Sequence, residues 1–177
     1  MQKDYSSIKA HYQFTKDDEA LLLQMKPQVE SFVDEFLNGF YEIIWSFGKT
    51  GEFLKDPEVA ARHRAVIRKW YLELFNGSYD ISYFLKLYKI GEVHVSLGLP
   101  THYVNAAFSY VRVFILGRIH QLNTNGADLT HKLNAIERIL DINLDVLTSS
   151  YREEEISRFM SLSSIEKTLL GLLKKTS

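Results

Sequence analysis

The chain has 177 residues, of which 46% are apolar and 24% charged, with a formal net charge of -1. This is enough sequence for one domain with a real core, and the balanced charge gives no basic footprint for nucleic acid or an anionic membrane. There is no Cys, which excludes disulfides, thiolate metal sites, iron–sulfur clusters and Cys nucleophiles.

The opening MQKDYSSIKAHYQF has no apolar run after a basic stretch, so no signal peptide is expected. No segment reaches membrane-spanning length, and a cytoplasmic protein is expected. Thr15, with Asp17 and Asp18 behind it, reads as the N-cap of a helix through EALLLQM. The three prolines, Pro27, Pro57 and Pro100, each stand where a helix can begin. From about Gln28 to Phe47 the residues Val29, Phe32, Val33, Phe36, Leu37, Phe40, Ile43, Ile44 and Phe47 keep a spacing of three and four. That spacing predicts one long amphipathic helix, broken by Gly48-Lys49-Thr50-Gly51.

Pro57 opens the next helix, with Ala60, His63, Val66, Ile67, Trp70 and Leu74 on one face, and Asn76-Gly77-Ser78 closes it. Tyr83 to Leu97 forms another, ended by Gly98. Pro100 starts a helix reaching about Leu122, and Asn123 to Gly126 is a turn. The last helix begins near Asp128 or Leu129 and runs to about Met160 or beyond. The tail from Ser157 reads as its continuation plus a short amphipathic helix, with Leu162, Ile165, Leu169 and Leu172 or Leu173 in register. Hairpin signals, internal repeats and low-complexity tracts are missing, so the fold class is all-α, with six to eight helices and the last two long.

Aromatic residues make up 13% of the chain, ring surface that can fill a core or line a slot for a flat cofactor. Neither HExxH nor any pair of His three or four apart occurs, so a multi-histidine zinc site is unsupported. GxSxG, GxGxxG and P-loop patterns are missing too. Glu153-Glu154-Glu155 reads as a solvated helix face, and His11, His102, His120 and His131 as surface or packing residues. His63 and His94 differ. His63 shares a face with Val66, Ile67, Trp70 and Leu74, and His94 with Leu87, Ile90 and Leu97. An imidazole on an apolar face needs partners for its ring nitrogens. A core histidine bonded to a backbone carbonyl and an iron ligand in an apolar, aromatic-lined slot both satisfy that need.

The segment WYLELFNGSYDISYFLKLYKIGEVHVSLGLPTHY, Trp70 to Tyr103, closely resembles the bacterial globin-coupled sensors and protoglobins. Leu74-Phe75, Gly77, Tyr79-Asp80, Ile90-Gly91, His94, Gly98 and Pro100 match their shared pattern in order and spacing. Upstream, HYQFTKDDEALL resembles the junction after the family's extra N-terminal helix, and Phe40-Tyr41 its FY pair. The resemblance covers about residues 10 to 155. It implies a three-on-three globin fold with an extra N-terminal pre-A helix and long G and H helices. Residues 1–155 would form the sensor domain, and 156–177 a helical extension or linker toward an output module outside this chain, a tail packed on the domain being the alternative.

The resemblance also implies a haem b. His94 matches the proximal ligand, Tyr41 the distal tyrosine and Tyr103 an aromatic on the proximal side. Phe40, Ile44, Val66, Ile67, Trp70, Ile90, Val93 and Leu99 complete the expected cofactor-binding set. Val66 falls where some relatives carry a polar distal residue. His63 stands where relatives generally have an aliphatic residue, which points to a bis-histidyl metal site of His94 and His63. The alternative is a distal histidine that hydrogen-bonds a bound ligand without touching iron. The implied function is detection of O2, CO, NO or redox state by ligand exchange and conformational change, without enzymatic activity. A haem enzyme such as a nitric oxide dioxygenase or peroxidase, and a haem-free interaction module, are the alternatives. A homodimer through the last two helices is also implied. The stretch Ala106 to Ile119, with Ile136, Ile139, Leu140, Ile142 and Leu147, can supply either its interface or the chain's own core.

Overall fold

The computed structural model describes residues 5, 7–122 and 126–173, with residues 127 and 163–173 in backbone only. Among the described residues it contains eight helices and no strand. In chain order these are α1 (Ile8–His11), α2 (Lys16–Glu30), α3 (Val33–Ser46), α4 (Thr50–Phe53), α5 (Pro57–Glu73), α6 (Ile81–Ser96), α7 (Thr101–Leu122) and α8 (Gly126–Leu173).

The helix starts follow local chemistry. Thr15 and Asp18 form a reciprocal capping box at the head of α2. Asp56 caps α5 through the Glu58 amide, with Pro57 in the first turn. Asp80 caps α6 through the Tyr83 amide at 3.0 Å. Gly98 adopts a φ of 64°, a left-handed conformation that glycine accepts without strain, and the chain there turns from α6 toward α7.

Three sequence expectations are corrected. Pro27 begins no helix; it lies inside α2. Pro27 and Leu23 are both exposed, so the hydrogen bond that proline forfeits lies on the solvent side of α2, where its loss is tolerated. The break comes later, where the Ser31 and Phe32 amides fold back to Gln28 and Val29. The expected single helix from Gln28 to Phe47 is therefore the end of α2 plus α3. The tail forms no separate short helix either, since α8 runs unbroken to Leu173. The Asn123–Asn125 part of the expected turn, and the side chains of Ile165, Leu169, Leu172 and Leu173, lie outside the described residues.

Packing is organised around α8, against which α2, α6 and α7 lie, while α3 packs on α5 and α7. Asp18 accepts both 3.0 and 3.1 Å contacts from Arg138 and so ties the head of α2 to α8. Phe36 stacks on Tyr71 with ring centroids 4.2 Å apart, joining α3 to α5. Ile136, Ile139, Leu140, Ile142 and Leu147 are all buried. They belong to this chain's own core, as do Val111, Ile115 and Ile119. Among the described side chains of α8, Tyr151 is the last that is buried; beyond it Ile156, Phe159, Met160 and Leu162 are exposed. No described helix is long and apolar enough to cross a membrane.

α6 crosses α8 closely at Gly91. A Cβ there would run into the Leu147 carbonyl and the Ser150 hydroxyl of α8. Gly117 of α7 has open space in the same direction. Gly91→Ala should therefore cost about 1–3 kcal/mol by overpacking, read as a lower urea midpoint at unchanged slope. Gly117→Ala should hold or raise stability, because alanine is the better helix former. Equal midpoints for the two variants would contradict this account of the crossing.

Candidate functional site

The faces of α5, α6 and α7 converge on an apolar cavity of about 290 Å³. From α5 come His63, Val66, Ile67 and Trp70; from α6, Ile90, Val93 and His94. Val104, Ala107, Phe108 and Val111 of α7 form another wall, and Phe40, Leu97, Leu99 and Leu147 close the remainder. One edge is open. Val66, Val93 and Leu97 line the cavity and are yet 55%, 48% and 41% exposed. Large apolar side chains that line a slot and also face water mark a surface made to be covered.

His94 is fixed by its own helix. Its Nδ1 lies 2.8 Å from the Ile90 carbonyl oxygen. A carbonyl only accepts, so Nδ1 carries the proton and the neutral ring keeps its lone pair on Nε2. Burial lowers the pKa of His94, opposed by the bond to Ile90. The result is a neutral imidazole in the tautomer that a metal ligand needs, with its second nitrogen held by a backbone oxygen.

His63 lines the same cavity from α5. Its Nδ1 is 2.6 Å from the Tyr41 hydroxyl of α3. Burial, with His94 nearby, pushes its pKa down to about 4, so this ring is neutral at ordinary pH. Tyr41 is buried, and its own pKa is pushed up to about 12, so it is a phenol and not a phenolate. The Arg64 guanidinium lies over the Tyr41 ring at 5.4 Å from its centroid.

Trp70 presents its ring to the cavity and donates Nε1–H to Asn143 Oδ1 of α8 at 3.2 Å. Asn143 is fully buried and donates Nδ2–H to the Ile139 carbonyl at 2.7 Å and to the Tyr83 hydroxyl at 2.8 Å. One amide therefore joins α5, α6 and α8 behind the cavity wall.

Most residues expected at the site meet here: Phe40, His63, Val66, Ile67, Trp70, Ile90, Val93, His94 and Leu99 all line the cavity. Tyr41, Ile44 and Tyr103 are not among the lining residues. Tyr41 stands behind His63 and reaches the cavity through it. Ile44 is buried one turn further along α3. Tyr103 stacks on Phe47 at 4.6 Å between centroids, an arrangement that turns its ring to the end of α3. Leu97, Val104, Ala107, Phe108, Val111 and Leu147 were missed. The spacing of Val104, Ala107, Phe108 and Val111 was a visible signal, a three-to-four stripe along α7. His11, His102, His120 and His131 are exposed.

Residues 1–157 match the model of the protoglobin family. Among solved structures, the chain is similar to the globin domain of the Geobacter sulfurreducens globin-coupled sensor. The identity is 38% and the TM-score 0.81, over 85% of this chain and 99% of that one. The all-α architecture is thus the globin fold.

The state of His63 has a consequence for stability. In protein free of any cofactor, the folded chain refuses a proton at His63 until about pH 4, while the unfolded chain takes it near pH 6.5. The unfolded state binds more protons in that window, so stability present above pH 6.5 is lost as pH falls toward 4. His63→Leu should flatten the acid fall by on the order of 1–3 kcal/mol. Urea midpoints from neutral pH downward check this; parallel curves for variant and wild type would clear His63 of the acid sensitivity.

Proposed function

The chain belongs to the protoglobin family, and from that premise we propose that it is a haem-binding sensor domain, with haem b in the cavity and His94 as proximal ligand. The observation that carries the reading is the Ile90–His94 bond, which aims an unprotonated Nε2 at an apolar slot with one open edge. Bound there, haem supplies reversible capture of a diatomic gas and one-electron chemistry. The chain's residues do the remainder. The walls from α5 and α7 exclude water, and Val66, Val93 and Leu97 give the open edge an apolar lip.

His63 would be a second residue holding the iron in the resting protein. It competes with O2, CO or NO for one face, so apparent gas affinity falls with the fraction of molecules in which His63 stands aside. Imidazole on both sides also shifts the reduction potential, which makes redox state a second candidate signal. Movement of His63 is movement of α5, and Trp70 carries it to Asn143 of α8. Signalling is conformational, with α8 as the exit.

Reconstituted with haem, the wild type should give low-spin six-coordinate absorption spectra in ferric and ferrous states. His63→Leu should give a five-coordinate or water-ligated spectrum, and should lose the slow phase of CO rebinding after flash photolysis. His94→Ala should hold haem at least about tenfold more weakly. No Soret band in the wild type would overturn the whole reading; identical rebinding kinetics in His63→Leu would remove His63 as ligand.

A second copy of the chain is the partner in this reading. Val113 on α7 and Ile156, Phe159 and Met160 on α8 are exposed, the first at 70% and Phe159 at 71%, apolar side chains on each of the two helices that the reading puts in the interface. Phe159→Glu should shift sedimentation from dimer toward monomer. A wild type that sediments as a monomer at every concentration would remove the dimer.

A further inference from the structure

We infer that Tyr41 is the positioning residue of His63, and that the direction of their shared hydrogen bond decides whether His63 offers the cavity a proton or a lone pair. The inference rests on the reading of the cavity as a haem site, and it gives Tyr41 a different task from the one family resemblance implies.

The two histidines are held in different ways. His94 bonds a carbonyl, which can only accept, so its tautomer has no freedom. His63 bonds a hydroxyl, which can donate or accept. With the Tyr41 O–H donating to Nδ1, both groups are satisfied and His63 turns Nε2–H to the cavity. With the bond reversed, Nδ1–H donates to the Tyr41 oxygen and the Nε2 lone pair faces the cavity, as ligation requires.

The two directions differ in what they leave unpaired. Tyr41 is 3% exposed, and among the described residues its hydroxyl has one hydrogen-bond partner, His63. Its ring is held by Trp45 edge-on at 5.4 Å between centroids and by Arg64 over its face, so the hydroxyl is not free to swing toward water. Reversal therefore strands a buried O–H donor, whereas the donating direction leaves only Nε2–H, which faces open cavity. Stranding a buried donor costs more than a hydrogen bond gains. Tyr41 thus acts as a brake on ligation by His63. When His63 stands aside, the same bond keeps Nε2–H pointed at the cavity as a donor to a bound gas. The hydrogen bond to the ligand then comes from His63, with Tyr41 setting it.

Two measurements test this. In metal-free protein labelled with 15N-histidine, the ring nitrogens should report Nε2–H for His63 and Nδ1–H for His94. Tyr41→Phe should turn the His63 signal alone into a tautomer mixture. In the haem-loaded protein, Tyr41→Phe should tighten His63 ligation and lower apparent CO affinity by about tenfold, the weight of one unpaired buried hydroxyl. Carbon monoxide is the probe because it is a poor hydrogen-bond acceptor, so a lost donor to the ligand does not imitate the effect. Nδ1–H on His63 in the metal-free wild type, or an unchanged or raised CO affinity in Tyr41→Phe, would overturn the proposal. A five-coordinate wild-type spectrum would sink the ligation reading and leave the hold of Tyr41 on the tautomer to be decided by the metal-free spectrum.

Discussion

The cavity depends on the contact of α6 with α8 at Gly91. Side chains normally hold two helices 8–10 Å apart; here the backbone of α6 is drawn onto the Leu147 carbonyl and the Ser150 hydroxyl, leaving no room for a methyl group. His94 stands three residues further on, and the carbonyl that orients it belongs to Ile90, in the same turn. The depth and tautomer of His94 are therefore fixed by one short stretch of main chain pressed against the largest helix of the domain. Leu147, which takes part in the crossing, also lines the cavity.

Behind that wall a single buried amide does what apolar packing alone cannot. Asn143 meets Trp70 from α5, Tyr83 from α6 and its own helix through Ile139. Both amide donors and the carbonyl oxygen are used, so the cost of burying the group is offset. Leucine at the same place would fill the space without distinguishing one rotation of α5 from another. A satisfied polar group in an apolar core specifies register, and here the register it specifies is that of the helix bearing His63.

Local signals were the most legible part of the sequence. The Thr15 cap and the Pro57 start act through neighbouring residues, so reading along the chain finds them; the caps at Asp56 and Asp80 are as local, but the sequence reading names neither. Pro27 misled because the rule against internal proline is weakest on an exposed face, and exposure is not written in the local sequence. Periodicity placed His63, Trp70, Ile90 and His94 on apolar faces, and the extended IGEVHVSLGLP match singled out His94 from other core histidines. Tyr41 could be named but its partner could not, since their contact spans 22 residues and depends on how α3 meets α5. Tyr103 could be named too, but its stacking on Phe47 is tertiary and is not written in local spacing. The α7 stripe was visible as a stripe, but one helix here serves two neighbours, and spacing alone does not say which neighbour a given residue faces.

The helix α8 is 48 residues long, or about 70 Å at the usual rise. Its first half is embedded in the domain, while from Tyr151 to Leu173 it continues as a rod with no break. A lever with one arm clamped converts angle into distance. Over the roughly 33 Å of that outer arm, a tilt of about 5° at the clamp carries the far end sideways by about 3 Å, close to the diameter of a water molecule. A tilt too small to alter the shape of the domain is therefore large enough, at the tip of α8, to move it past the width of a side-chain contact.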